Sequence, residues 1–323
     1  MAERRYDLDW LRVMLMLLVF IFHCSRFFGG GPWLLKNAEE SIVALVYVSL
    51  IDMWVMPCFF LLSGIGSWYA LAHFTNGQYI QERIKRILIP LYTVGFFILL
   101  PTQFYFEIYS NAGFTGTFWE SIPLYLAREG HFHLGSPSGV LMLAFITHLW
   151  FLGYLFLISL MALPLMRYLR SEHGLRFTDK LAGWCSRPGA IFIFIIPVLV
   201  IRIGLRSFFL GQFTWADFLE YMAYFIIGYL FMADSRFIQS AKKNGWLGLI
   251  LGLACWGCQG IFVLGFGYHY PDGEPFSWMY VLFEAMMSIS RWSWIIFVLS
   301  LGAKYLNFNH RSLTYSNEAV LPF

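Results

Sequence analysis

Apolar runs of about 20 residues or more recur along this chain, each long enough to cross the roughly 30 Å hydrocarbon core of a bilayer as a helix. In lipid every backbone N–H and C=O must be paired, and continuous apolar runs, unlike the alternating strands of a barrel, meet that demand only as helices. The expected fold is therefore all-α, a polytopic transmembrane helix bundle forming one domain over residues 1–323. Hydropathy places eight spans near 8–28, 41–72, 87–108, 140–168, 189–209, 215–233, 245–267 and 278–302. A ninth begins near Leu313. Ser316-Asn317-Glu318-Ala319-Val320-Leu321-Pro322-Phe323 reads as the middle of a membrane protein, so a piece of a longer chain is expected. With 13% charged residues, about half the usual share, a soluble class is excluded. The N-terminus runs into the first span without a small-residue cleavage site, and no removable signal peptide is expected.

Lysine and arginine placement predicts the orientation. With the N-terminus inside, fifteen of the 22 Lys and Arg residues fall in inner segments, among them Arg83, Lys85, Arg86, Arg167 and Arg170. Four (Arg26, Lys36, Arg128 and Arg206) fall outside, and Arg12, Arg202 and Arg291 lie within spans. The net charge of +3 carries little by itself, and no nucleic-acid partner is expected.

The first span holds Arg12 and His23, eleven positions apart and hence on one helix face, about 16 Å apart along the axis. Such groups at membrane depth are costly and usually face a cavity or a polar partner. Asp9, one turn before Arg12, can pair with it. The plainer reading is a positive flank and an interfacial histidine; the sharper one is a polar face along which a substrate runs. The second span is too long to cross straight, and Met56-Pro57 and Leu62-Ser63-Gly64-Ile65-Gly66 are expected to bend or unwind it, although the small residues serve helix packing equally well. Gln81-Glu82-Arg83-Ile84-Lys85-Arg86 reads as positive-inside charge or as a phosphate-binding site, and the two are compatible. The outer loop 109–139 carries His131-Phe132-His133, which lacks the further ligands a metal would need and fits an acceptor-facing loop better. His148 enters the fourth span just before Trp150, at a depth similar to His23. Cys255 and Cys258 lie inside an apolar span and read as packing. Arg202 and Glu220 are expected to form an ion pair, whereas Glu284 and Arg291, on one helix face, need a third group to meet.

These motifs, in this order, resemble the integral-membrane acyltransferase 3 family over nearly the whole chain. The resemblance rests on Asp9-x-x-Arg12 with the Arg-x₁₀-His pattern ending at His23, on Pro57-Cys58-Phe59-Phe60-Leu61-Leu62-Ser63-Gly64, on Arg83-x-x-Arg86-x-x-x-Pro90, and on His148-Leu149-Trp150-Phe151-Leu152. Trp33-Leu34-Leu35-Lys36-Asn37 and Pro101-Thr102-Gln103-Phe104-Tyr105-Phe106-Glu107 look more like the glucan biosynthesis protein C subgroup, linked to succinylation of periplasmic glucans. The resemblance implies a ten-helix bundle, two of whose helices lie beyond this chain, in a bacterial cytoplasmic membrane. It implies an O-acyltransferase that moves an acyl group, succinyl or acetyl, from a cytoplasmic donor of the acyl-CoA type to a hydroxyl of an extracytoplasmic glycan, with no bound cofactor. It assigns catalysis to His23 and Arg12 with His148, donor binding to Arg83 and Arg86, and structural support to Asp9, Ser63, Gly64 and Trp150. Many relatives carry a glutamate where this chain has Gly153-Tyr154, so no role carries over there.

The residues support that chemistry. A hydroxyl needs a neighbouring base to become a good nucleophile, and histidine titrates in the right range. His23 serves as base or as an acyl-carrying nucleophile. The rival class is a transporter of an acidic or sugar-linked solute using the same groups as a path; a membrane scaffold would not need the Arg12–His23 face at all.

Overall fold

The computed structural model describes residues 5–29, 33, 35–128, 134–141, 149–209, 213–266 and 274–319, and all regular structure among them is helical. The first helix, α1 (Tyr6–Arg26), has Asp7 and Asp9 in its first turn and His23 and Arg26 in its last, each opposite in sign to the helix dipole there. The second span divides into α2 (Ile42–Asp52) and α3 (Val55–His73). The break lies at Met53 and Trp54, not at the expected proline or glycines. Pro57 falls in the first turn of α3, where its missing N–H would have no helical partner in any case.

The helix runs unbroken through Ser63–Gly66, and a neighbouring helix explains why. It crosses α12 (Trp215–Ala233) at a pair of glycines: a Cβ on Gly64 would lie 1.9 Å from the Phe225 carbonyl oxygen, and one on Gly228 1.9 Å from that of Leu61. Gly64 is a packing residue. Gly64 therefore supports the structure by close backbone approach rather than by unwinding.

The third span starts as α4 (Asn76–Arg83), continues through wider π-helical turns at Ile84–Leu88 and Leu91–Leu99, and ends as α5 (Leu100–Asn111). Pro90 lies between the two wide stretches; it donates no hydrogen bond and crowds the carbonyl one turn back, so the ladder shifts to longer pairings. After α6 (Phe118–Arg128) and the short α7 (Pro137–Val140), the fourth span consists of α8 (Trp150–Met161) and α9 (Leu163–Arg170), bent by 49° just before Pro164. Ser171 ends α9 and caps α10 (Glu172–Cys185), an amphipathic helix where a loop was expected.

A 3₁₀ turn at Ala190–Phe194 leads into α11 (Ile195–Leu205), and α13 (Ser235–Lys243) links α12 to α14 (Gly245–Phe266). Then follow α15 (Trp278–Tyr305) and α16 (Arg311–Ala319). Helices α12 and α15 form the centre of the bundle, with 56% of their apolar stretch buried against 17% for α14.

Among the described residues six helical segments are long and apolar enough to cross a membrane, and the bent α8–α9 pair makes seven. Eight and the start of a ninth were expected. The expected fifth span holds five 3₁₀ and eleven α-helical residues, which reach roughly 26 Å, a little short of the ~30 Å core. Where a ninth span was expected, α16 is a nine-residue helix rich in polar side chains.

Candidate active site

The Arg12–His23 face of α1 lies along α2 and α3, with one residue at each end of the bundle. At the basic end the Arg12 guanidinium is 3.5 Å from Asp9, and a Cβ on Gly66 would come within 3.2 Å of it, so that glycine leaves the room it occupies. Arg12, Ser63, Gly66, Tyr79, Arg83 and Arg86 border a cavity of about 120 Å³. Arg83 donates to the Ser67 hydroxyl at 3.0 Å and lies over the Tyr79 ring, 4.8 Å from its centre. Tyr79 also donates to Ser67 at 3.0 Å, and Ser67 donates to the Ser63 carbonyl at 2.9 Å. These bonds aim Arg83 from α3 while leaving it without a carboxylate partner among the described residues. Arg86 pairs with Glu82 one turn back, at 2.8 Å. The structure thus brings together the predicted Arg12, Arg83, Arg86, Asp9 and Ser63. An anion at this place meets three guanidinium groups, of which Arg83 is the least compensated.

At the other end His23 Nδ1 is 2.8 Å from the Val19 carbonyl. A carbonyl only accepts, so Nδ1 carries the proton and neutral His23 presents its lone pair on Nε2, the tautomer a general base needs. The ring packs beside Phe22 and Trp33, and Arg26 lies over the Trp33 ring at 4.6 Å. Asp52, at the end of α2, has His23, Arg26 and Arg291 as its charged neighbours. Sequence reading passed over Asp52 because a charge at the end of an apolar run looks like ordinary flanking polarity. The signal that could have found it is its place at the break of an overlong span.

Beyond Asp52 lies a buried chain of charges. Arg202 bonds Glu284 at 2.5 Å and Glu220 at 2.7 Å, and Arg291 bonds the other oxygen of Glu220. Both expectations hold: Arg202 and Glu220 pair, and Glu284 and Arg291 meet through the groups between them. Arg206 pairs with Asp217, whose carboxylate also caps α12 through Thr214. Trp150 stands in an aromatic cluster with Phe60, Tyr154, Phe213 and Tyr221. His148, His131 and His133 lie outside the described residues. Between the two ends the same face of α1 presents Leu15, packed in the core.

A family model described as an acyltransferase domain matches residues 5–313. Among curated proteins the chain is 26% identical to "Glucans biosynthesis protein C" of Escherichia coli strain SMS-3-5 / SECEC over 334 residues, covering 99% of this chain and 80% of that protein. The proteins of that name from strain K12 / DH10B and from E. coli O17:K52:H18 are also 26% identical, with the same coverage of each chain. No solved structure shows a significant match.

Proposed function

The chain belongs to the acyltransferase domain family, a multi-pass membrane enzyme class, and from that premise we propose that it carries an acyl group from a donor held at the basic end of α1 to a glycan hydroxyl at the histidine end. One observation carries this reading: a single helix face holds Arg12 within an arginine-lined cavity and, about three turns on, a histidine whose Nδ1 faces the Val19 carbonyl, so that its neutral form carries the lone pair on Nε2. The donor is an acyl-CoA-type thioester, and the acyl group is succinyl or acetyl. His23 takes the proton of the acceptor hydroxyl as its oxygen attacks the thioester carbonyl; the carbon–sulfur bond breaks, and the thiolate leaves and is protonated. Asp52, with Arg26 and Arg291 around it, is placed to stabilise the imidazolium that forms. His148 and Trp150 support the acceptor side. The relatives' name supports a glucan as acceptor.

The proposed setting is a bacterial cytoplasmic membrane with eight crossings, Ala190–Leu205 included, the N-terminus inside and the basic end cytoplasmic. In a background without native cysteines, Thr115→Cys should react with an impermeant maleimide on intact cells and Lys180→Cys only after lysis. Reaction of Thr115→Cys confined to lysed cells would reverse the sidedness. Replacing Arg83 and Arg86 together by glutamine should raise the KM for an acyl-CoA donor about tenfold or more at near-normal expression, since charge-assisted bonds to phosphate are lost. An unchanged KM would leave these arginines as topology signals only.

A further inference from the structure

We propose that a second, larger groove at the basic end binds the nucleotide phosphates of the acyl donor, leaving the smaller cavity to the arm that carries the acyl group; this rests on the donor reading above. Size is the first argument. The cavity at Arg12 and Arg83 holds about 120 Å³, whereas small-molecule sites run to about 300–1,000 Å³. A groove of about 730 Å³, bordered by Leu71, Phe74, Thr75, Asn76, Arg167 and Arg170, shares Phe74 with that cavity and falls in the right range.

Charge is the second argument. Several other arginines at this end of the bundle meet carboxylates: Arg5 with Asp7, Arg86 with Glu82, Arg176 with Glu172, Arg236 with Asp234. The two arginines of the groove do not, among the described residues. Arg170 is locked in place by neutral groups: it donates to the Tyr229 hydroxyl at 2.8 Å, to the Leu71 carbonyl at 2.7 Å and to the Trp68 carbonyl, and it stacks on Trp68 at 4.3 Å. It thereby caps the end of α3 and keeps its positive charge uncompensated. Arg167, one turn earlier on α9, is exposed and makes no ion pair with the described residues. Among the described residues no carboxylate lines the groove. One fixed positive charge and a second, exposed one in a concave site without a counterion among the described residues are a place for an anion with several charges.

The third argument is the rim. Phe74 is 39% exposed between the two cavities and offers a ring face on which a base can stack. The Asn76 carboxamide, half-buried and without a hydrogen bond among the described residues, has the donor and acceptor pair that suits an adenine edge. A donor ending in a phosphorylated adenosine fits this set, with its base at Phe74 and Asn76 and its phosphates at Arg167.

The test uses purified protein in nanodiscs of neutral lipid, with adenosine 3′,5′-bisphosphate as probe and acyl-CoA and acyl-pantetheine as donors. Calorimetry should show the nucleotide binding to the native protein, with affinity reduced about tenfold or more in Arg167→Glu and partly restored in Arg167→Lys. Phe74→Ala, which leaves the charge untouched, should weaken it as well. In transfer assays the advantage of acyl-CoA over acyl-pantetheine in KM should shrink in Arg167→Glu. Undiminished nucleotide binding in both Arg167→Glu and Phe74→Ala overturns the proposal. So does an anionic-lipid site, which would show no nucleotide binding in neutral discs and retention of phosphatidylglycerol that depends on Arg167. If acyl-pantetheine is transferred and acyl-CoA gains no advantage from the groove, this proposal fails while the acyltransferase reading stands. If nucleotide binds as described but neither thioester is consumed, the donor reading fails instead.

Discussion

His23→Ala is expected to lower acyl transfer by about 10² to 10⁴, the usual worth of a positioned general base. The loss should come without unfolding, because the rest of that α1 face does not depend on the imidazole: Leu15 is buried, and Leu18, Val19 and Phe22 pack against the core. Tyr47 also holds α1 from the neighbouring helix by donating to the Leu18 carbonyl at 2.9 Å. His23→Asn is the sharper variant. Its amide nitrogen stands where Nδ1 does and can still donate to the Val19 carbonyl, yet it cannot take a proton. Transfer should fall as far as in the alanine variant, whereas a histidine that only packs would be replaced with little loss. Donor binding should survive in both, since Arg12, Arg83 and Arg86 are at the opposite end. His148→Ala should cost less than either. Normal glycan acylation by a well-expressed His23→Ala protein would sink the mechanism and return the transporter reading to first place.

Glu220→Ala is expected to be the most destabilising change among the buried charges. Glu220 is 1% exposed and divides its two oxygens between Arg202 and Arg291. Its removal takes the bonded carboxylate from Arg291, while Arg202 keeps Glu284. Losing one partner of a buried ion pair costs about 3–5 kcal/mol. The measurement is the fraction of detergent-solubilised protein that remains monodisperse on heating. Glu220→Gln should fall between native and Glu220→Ala, because it keeps an acceptor while dropping the charge. A double variant, Arg202→Met with Glu284→Gln, should be less damaging than Arg202→Met alone, since it removes the charges together. A Glu220→Ala protein as heat-resistant as the native one would show that this network contributes nothing to stability.

What could be read from the residues alone follows from what a charge costs in a membrane. Arg12, Arg83 and Arg86 were predicted to serve one end, and they border one cavity; four membrane-depth charges were predicted to need partners, and each has one. The misplaced break in the second span has a different origin. A proline is disruptive only when its position in the helix is known, and Pro57 proves to be in a first turn, where it is harmless. Gly64 could have meant unwinding or close packing, and only its partner Gly228, more than 160 positions later, decides between them. Span counting outran the structure where helices are marginal in length: Ala190–Leu205 is apolar but short, and Arg311–Ala319 is short and polar. The groove at Arg167 was out of reach because its walls come from two distant segments that look like ordinary positive-inside loops.

Because Arg12 and His23 ride on one unbroken helix, the interval between them is set by backbone hydrogen bonds and cannot adapt to what is bound. On the acyl-transfer route proposed above, the enzyme gauges its donor. A carrier whose arm enters through the cavity at Arg12 can present its acyl carbon to His23 only if that arm is long enough, and shortening it by a few bonds leaves the thioester stranded among the apolar side chains around Leu15. Selection between donors would then depend less on the acyl group itself than on the tether behind it. Lengthening or shortening α1 by a full turn between the two residues, which preserves their shared face, would retune that tether requirement by about 5.4 Å.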